Sequence, residues 1–200
     1  MAAWFGIVYA GAAVVPLHVA SVPLEIGQRL AHAGCKWLLH DHPRATLAQE
    51  GAAHAAALSG EPAASPCATR AVETFTRAPG AELSVDRRFP IYAGVDIAMV
   101  LYTSGTTGKA KGAAITHASL LLHTTTLVRE ALGLGPADTV LCVLPLSHSY
   151  GCRLALLAPF FAGARVLCMP RFDAARSLEL MRTYRVTWVP AVPTMFAAWG

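Results

Sequence analysis

Thr103, Ser104, Thr106 and Thr107 place four hydroxyls in eleven residues, 102–112 (YTSGTTGKAKG), together with Gly105, Gly108, Gly112, Lys109 and Lys111. These residue types at this density suit the oxygens of a phosphate. Glycines reach backbone angles that turn successive N–H groups into one concavity. Hydroxyls add neutral donors, and a lysine adds charge. A Walker-type loop is excluded, because it needs a glycine five residues before Gly-Lys and Ser or Thr after it. Thr103 and Ala110 stand at those places.

The elements that must position this stretch follow from hydrophobic patterning. DIAMVLYTS, residues 96–104, reads as a buried strand leading into the loop, and a helix is expected beyond the loop. Thr116 is a suitable cap for that helix, which runs over 117–132 and is closed by Gly133 and Gly135. Further along, 138–146 (DTVLCVLPL), 164–170 (ARVLCMP) and VTWVPAVP from Val186 read as strands. Helices lie between them at 150–163 and at 173–184, the latter capped by Asp173. Upstream we expect a helix, a glycine turn at Gly11, a short buried strand (AAVVPL), a helix ended by Gly34, a strand (KWLLHD) and an Ala-rich helix over 43–58. Residues 59–90 carry Gly60, Pro62, Pro66, Pro79, Gly80 and Pro90 and read as loop or linker, with a short strand near AVETF. Repeated βα units with continuous apolar strands predict an α/β fold, a mostly parallel sheet covered by helices. A ligand then belongs beyond the carboxyl ends of the strands.

Composition narrows the function. The chain has 200 residues, of which 54% are hydrophobic and 14% charged. Its mean hydropathy is +0.46. A core is assured, and we expect other parts of a larger body to cover some of the apolar surface. The net charge of +4 comes from scattered basic residues, which argues against a nucleic-acid partner. Five cysteines without a CxxC pair show no metal-ligand spacing and argue against a disulfide framework. They read as small buried hydrophobes of a reducing cytoplasm. The apolar opening residues lack a basic leader and are broken by Gly11 and Pro16, so neither a signal peptide nor a membrane span is expected. Their mid-core character leads us to expect a natural chain that begins before Met1.

The loop stretch resembles the phosphate-loop signature of the adenylate-forming enzymes: acyl-CoA synthetases, the adenylation domains of peptide synthetases, and luciferases. Their pattern is Ser-Gly-Thr-Thr-Gly, a variable residue, usually Pro, and Lys-Gly; this chain departs from it at Ala110. Three other segments resemble family segments in the same order. They are YAGAAVVPLH (9–18), LPLSHSYG (144–151, with Ser147 where an aromatic is usual) and VTWVPAVPTMFAAW (186–199).

The resemblance implies ATP-dependent activation of a carboxylic acid as an acyl-adenylate, followed by transfer to a thiol, usually that of CoA. It implies ATP and Mg²⁺ as cofactors, with the acidic Mg²⁺ ligand beyond Gly200. Thr103, Ser104, Gly105, Thr106, Thr107, Gly108 and Lys111 would hold the β- and γ-phosphates. Lys109 falls at the variable position and reads as a solvated loop lysine. His148 would border the acyl and thiol pocket, although a helix-start histidine bonded to backbone fits it equally. Ser147 alters that pocket's shape. Trp188, Met195, Phe196 and Trp199 read as core.

The family's Tyr-Gly-x-Thr-Glu segment, ribose-binding Asp and distal lysine have no counterpart here. We therefore expect residues 1–200 to be an incomplete large domain, without the small C-terminal domain and inactive alone. Three other readings stay open: a non-catalytic nucleotide- or phosphate-binding module, an adenylation domain that loads a carrier protein, and a remnant without ligand. The acid substrate and the oligomeric state are not legible.

Overall fold

The computed structural model describes residues 1–59, 67–75, 94–103 and 110–200. The chain divides into two compact units, Met1–Ile115 and Thr116–Gly200. Each is an α/β assembly.

In the first unit, helix α1 (Ala2–Tyr9) leads to a turn at Gly11, whose φ of 84° favours glycine. The helix is less buried than its sequence predicts, since only Trp4 is buried. AAVVPL contributes a single parallel bridge, Val14 to Met99, because Pro16 has no N–H to extend a ladder. Helix α2 (Pro23–Ala33) starts with proline in its first turn, where the missing N–H costs nothing, and closes on Gly34 at φ 63°. Strand β1 (Trp37–His40) follows, then helix α3 (Ala45–Ser59). Strand β2 (Ala68–Ala71) pairs with β1 in parallel, Trp37 opposite Ala68. The short strand expected near AVETF thus stands just ahead of it, and Val72–Phe75 forms a 3-10 turn.

Two glycines set how closely α2 and α3 pack. A Cβ on Gly27 would lie 2.4 Å from the His54 Cβ, and one on Gly51 would lie 2.4 Å from the Ile26 Cγ2. Ile26, Leu30, Ala52, Ala55 and Cys67 fill the resulting core.

Strand β3 (Ile97–Thr103) has Ala98, Met99 and Leu101 buried. It pairs with strand β4 (Lys111–Thr116), an element not expected from the sequence, which stands directly before the helix expected from His117. KGAAIT has little intrinsic strand preference, so pairing with β3 decides its conformation.

In the second unit, the Thr116 hydroxyl accepts a hydrogen bond from the Ser119 N–H at 3.2 Å and starts helix α4 (His117–Thr126) as expected. The helix continues as a wider π segment, Leu127–Leu132, and stops at Gly133. Strand β5 (Thr139–Cys142) is fully buried and pairs in parallel with β6 (Arg165–Cys168). Between them a π segment, Gly151–Leu157, runs into helix α5 (Ala158–Ala162). Asp173 caps helix α6 (Ala174–Thr183) by accepting from Arg176 N–H at 2.7 Å. VTWVPAVP supplies one bridge, Trp188 to Val140, and no strand, since Pro190 and Pro193 interrupt the ladder. Helix α7 (Pro193–Trp199) then packs back, and the Trp199 indole donates to the buried Ser177 hydroxyl at 2.8 Å.

The predicted α/β class holds. The described strands form three separate pairs, and both pairs with a defined register are parallel.

Candidate functional site

Strand β3 ends at Thr103 and β4 begins at Lys111, so seven residues (104–110) join two paired strands. A connection that short can only reverse the chain, because a parallel crossover needs a dozen residues or more. Thr103 and Lys111 therefore stand at the end of one hairpin where the chain reverses, both exposed. The hairpin brings a hydroxyl and an ammonium to the two ends of the hydroxyl-rich loop. Ser104, Gly105, Thr106, Thr107, Gly108 and Lys109 lie outside the described residues.

The stem of this hairpin is anchored by Tyr102, a residue that the sequence reading did not assign to the site. Its hydroxyl lies 2.8 Å from His32 Nδ1 and donates to the Arg29 carbonyl at 3.3 Å. With the phenol proton on that carbonyl, the His32 Nδ1–H is the donor to the phenol oxygen. The Arg29 guanidinium sits 5.9 Å from the Tyr102 ring centroid. Burial pushes the phenol above its ordinary pKa, so it stays a neutral donor. Gly112 completes the stem: a Cβ there would lie 3.0 Å from Val100 and 3.2 Å from the Tyr102 ring. The third glycine of the motif thus serves packing. Only the position of Tyr102, directly before Thr103, could have hinted at this role.

The second candidate region follows the carboxyl end of β5. The turn 144–151 is held by His148 N–H donating to the Pro145 carbonyl at 3.1 Å. Gly151 sits against the same carbonyl, and a Cβ there would be 2.3 Å from the Pro145 oxygen. His148 is exposed, and its Nδ1 accepts from the Tyr150 N–H at 3.4 Å. This is the helix-start geometry, and it puts the proton of a neutral ring on Nε2. The imidazole is thereby oriented with one N–H left to donate. Ser147 is half-buried.

Of the residues read as core, Met195 is buried and Trp188 and Trp199 are half-buried. Phe196 departs from expectation and is 61% exposed. His117 is a first-turn helix residue, as expected. The cysteines divide: Cys67, Cys142 and Cys152 are buried, Cys35 is half-buried and Cys168 is exposed.

A cavity of about 380 Å³ in the second unit is lined by Pro136, Asp138, Thr139, Arg165, Arg185 and Thr187, among others. It opens at the amino ends of β5 and β6, whereas α/β folds bind ligands beyond the carboxyl ends. Asp138 is occupied there as a staple. Its carboxylate accepts from the Thr187 hydroxyl at 2.7 Å and the Gly135 N–H at 2.8 Å, which holds its pKa below the usual range.

Among the described residues, no three His, Cys, Asp or Glu side chains gather as a metal site, and no helix is long and apolar enough to cross a membrane.

The chain is thus an α/β assembly in which a hydroxyl-, glycine- and lysine-rich stretch of sequence joins the two strands of a hairpin anchored by Tyr102. Residues 1–199 match the model of the AMP-binding enzymes, and the chain belongs to that family. A 4-coumarate–CoA ligase 5 of Oryza sativa subsp. japonica is 32% identical over 181 residues, covering 89% of this chain and 32% of the relative. The crystal structure of ATP-bound MatB from Rhodopseudomonas palustris aligns over 98% of this chain and 37% of its own, with a TM-score of 0.77 and 28% identity. O-succinylbenzoate coenzyme A synthetase (MenE) from Bacillus subtilis, in complex with ATP and magnesium ion, aligns over 98% of this chain and 37% of its own, with a TM-score of 0.76 and 26% identity. The chain thus spans about a third of the length of these relatives.

Proposed function

We propose that this chain is the ATP-phosphate-binding part of an AMP-forming acid–CoA ligase. The observation that carries the reading is the anchored hairpin, which ends in Thr103 and Lys111 and bears the family's loop between them. In the proposed reaction a carboxylate oxygen attacks the α-phosphorus of ATP, the bond to the β-phosphate oxygen breaks, and pyrophosphate leaves. The thiol of CoA then displaces AMP from the acyl-adenylate. Catalysis of such a transfer is largely positioning and charge neutralisation.

Each residue has a role in this scheme. Thr103, Ser104, Thr106 and Thr107 donate hydrogen bonds to the β- and γ-phosphate oxygens. Gly105 and Gly108 let the backbone approach them. Lys111 neutralises charge that builds on the departing pyrophosphate. Tyr102 and Gly112 hold the stem so that these donors need no reorganisation. The oriented Nε2–H of His148 borders the acyl and thiol side.

Mg²⁺ would enter bound to the ATP phosphates, and it supplies further charge neutralisation there. The loop hydroxyls suit a hard cation, but the described residues offer no carboxylate cluster, so no step is derived through it. The relatives are named for 4-coumarate and O-succinylbenzoate, which supports a carboxylic acid as the substrate class and leaves the acid open. We assign residues 1–200 to the large AMP-binding domain, with a small C-terminal domain as its partner in the whole enzyme, and place the protein in the cytoplasm.

The test is calorimetric titration of the 200-residue chain with ATP, with and without Mg²⁺. Binding that weakens at least tenfold in Lys111→Ala supports the reading. Binding unchanged by that substitution removes Lys111, and with it the loop assignment.

A further inference from the structure

Cys142 ends β5 and Cys168 ends β6, and the parallel register sets the two directly opposite each other. Neighbouring strands lie about 4.8 Å apart, within the Cα separation that a disulfide spans, roughly 4.4–6.8 Å. Residues paired in this way point to the same face of the sheet. Their side chains are therefore neighbours across the strand pair. The two thiols differ in access: Cys142 is 4% exposed and Cys168 is exposed. Cys168 is thus the member of the pair open to solvent.

We propose that Cys142 and Cys168 form an oxidisable dithiol that closes to an intrachain disulfide when it meets a low-molecular-weight disulfide such as oxidised glutathione. The Cys168 thiolate attacks one sulfur of the small disulfide. A mixed disulfide forms on Cys168, and one small thiolate leaves. The Cys142 sulfur then attacks the Cys168 sulfur, the mixed disulfide breaks, and the second small thiolate leaves. Two electrons pass from the protein pair to the small disulfide, and the two protein protons end on the two released thiols.

Cys168, the exposed member of the pair, is the one that attacks first. Burial nonetheless raises Cys168 above its ordinary pKa and pushes Cys142 to about 12, so exchange is slow at neutral pH and is read after hours. The new bond would close a ring around residues 143–167, which include the whole turn that carries His148. Its bridgehead is the carboxyl end of β5, from which that turn departs. Oxidation is therefore a modification of the stem of the second candidate region.

Cys152 provides an internal reference. It is fully buried, and burial raises it to about 12.

The experiment uses the 200-residue chain incubated with oxidised glutathione, alkylated in denaturant, digested and mapped by mass spectrometry. We expect a peptide pair linked through Cys142 and Cys168, with Cys152 still alkylated. Cys168→Ser changes an exposed side chain and should remove the linked pair at least tenfold. Cys142→Ala should leave glutathione held on Cys168. Glutathione that stays on Cys168 in the unsubstituted chain overturns the proposal, as do Cys142 and Cys168 that both remain reduced. Linkage of either residue to any other cysteine overturns it as well.

Discussion

The phenol oxygen of Tyr102 lies 2.8 Å from Nδ1 of His32, seventy positions earlier in the chain, and the two rings meet edge-on with centroids 5.7 Å apart. This contact ties the last turn of α2 to the strand that leads into the proposed phosphate-binding stretch. Tyr102→Phe keeps the ring and removes the hydroxyl. We expect a loss of about 1 kcal/mol of stability and an ATP affinity several-fold lower, because the loop stem loses its tether. Thermal unfolding and calorimetric titration of the same variant check both. Affinity unchanged at equal loss of stability would make Tyr102 a packing residue only.

Gly27→Ala sets two effects against each other. Alanine in a helix interior gains about 1 kcal/mol over glycine. The new Cβ, however, would fall 2.4 Å from the His54 Cβ and 2.9 Å from the Ala55 backbone nitrogen. Overpacking of that kind costs about 1–3 kcal/mol, and backbone cannot rotate aside. The variant should be less stable in denaturant titration, and a stabilised variant would mean that α2 and α3 can part without cost.

Gly151→Ala tests the turn before the π segment. Its Cβ would meet the Pro145 carbonyl at 2.3 Å, so the turn must open. We expect a loss of about 2 kcal/mol or more, as for other overpacked sites, and faster proteolysis within 144–151. Unfolding midpoints and the first cleavage sites are the readouts.

Asp138 gives stability a pH dependence of defined sign. Its folded pKa is depressed by hydrogen bonds from Thr187 and Gly135, so its contribution is present above the unfolded carboxylate value, about 3.9, and is lost as pH falls through the folded value. Tm of the unsubstituted chain should therefore decline more steeply below about pH 4 than Tm of Asp138→Asn. Parallel curves for the two proteins would contradict this.

Thr116→Ala removes the hydroxyl that accepts from Ser119 N–H at the start of α4. The expected cost is about 1 kcal/mol, with Thr116→Ser close to the native protein. Circular dichroism melts of the pair separate lost capping from lost packing.

Several elements were readable because local chemistry decides them. Thr116 and Asp173 carry caps of the right type, and both helices begin where those caps stand. Gly34 and Gly133 mark helix ends with positive φ, as their spacing after apolar periodicity implied. Strand β4 was not readable, since Gly112, Ala113 and Ala114 have no strand preference of their own. Nor was the single bridge at Trp188, where an apolar run looked continuous but proline removes the ladder donors. Phe196 looked like core from its neighbours, yet α7 turns Met195 inward and leaves Phe196 out.

The residue types that can hold phosphate, their order, and the family they belong to were determined by the sequence alone, because a loop motif is a local arrangement of donors and glycines. How those donors are held was decided only by the tertiary structure. Tyr102 reaches across to His32, Gly112 makes room for the ring, and Thr103 and Lys111 come to the same end of the hairpin. The pairing of Cys142 with Cys168 likewise exists only in the register of β5 and β6. Such relationships join residues far apart in the chain, and strand pairing and side-chain packing create them; no short stretch of sequence encodes either.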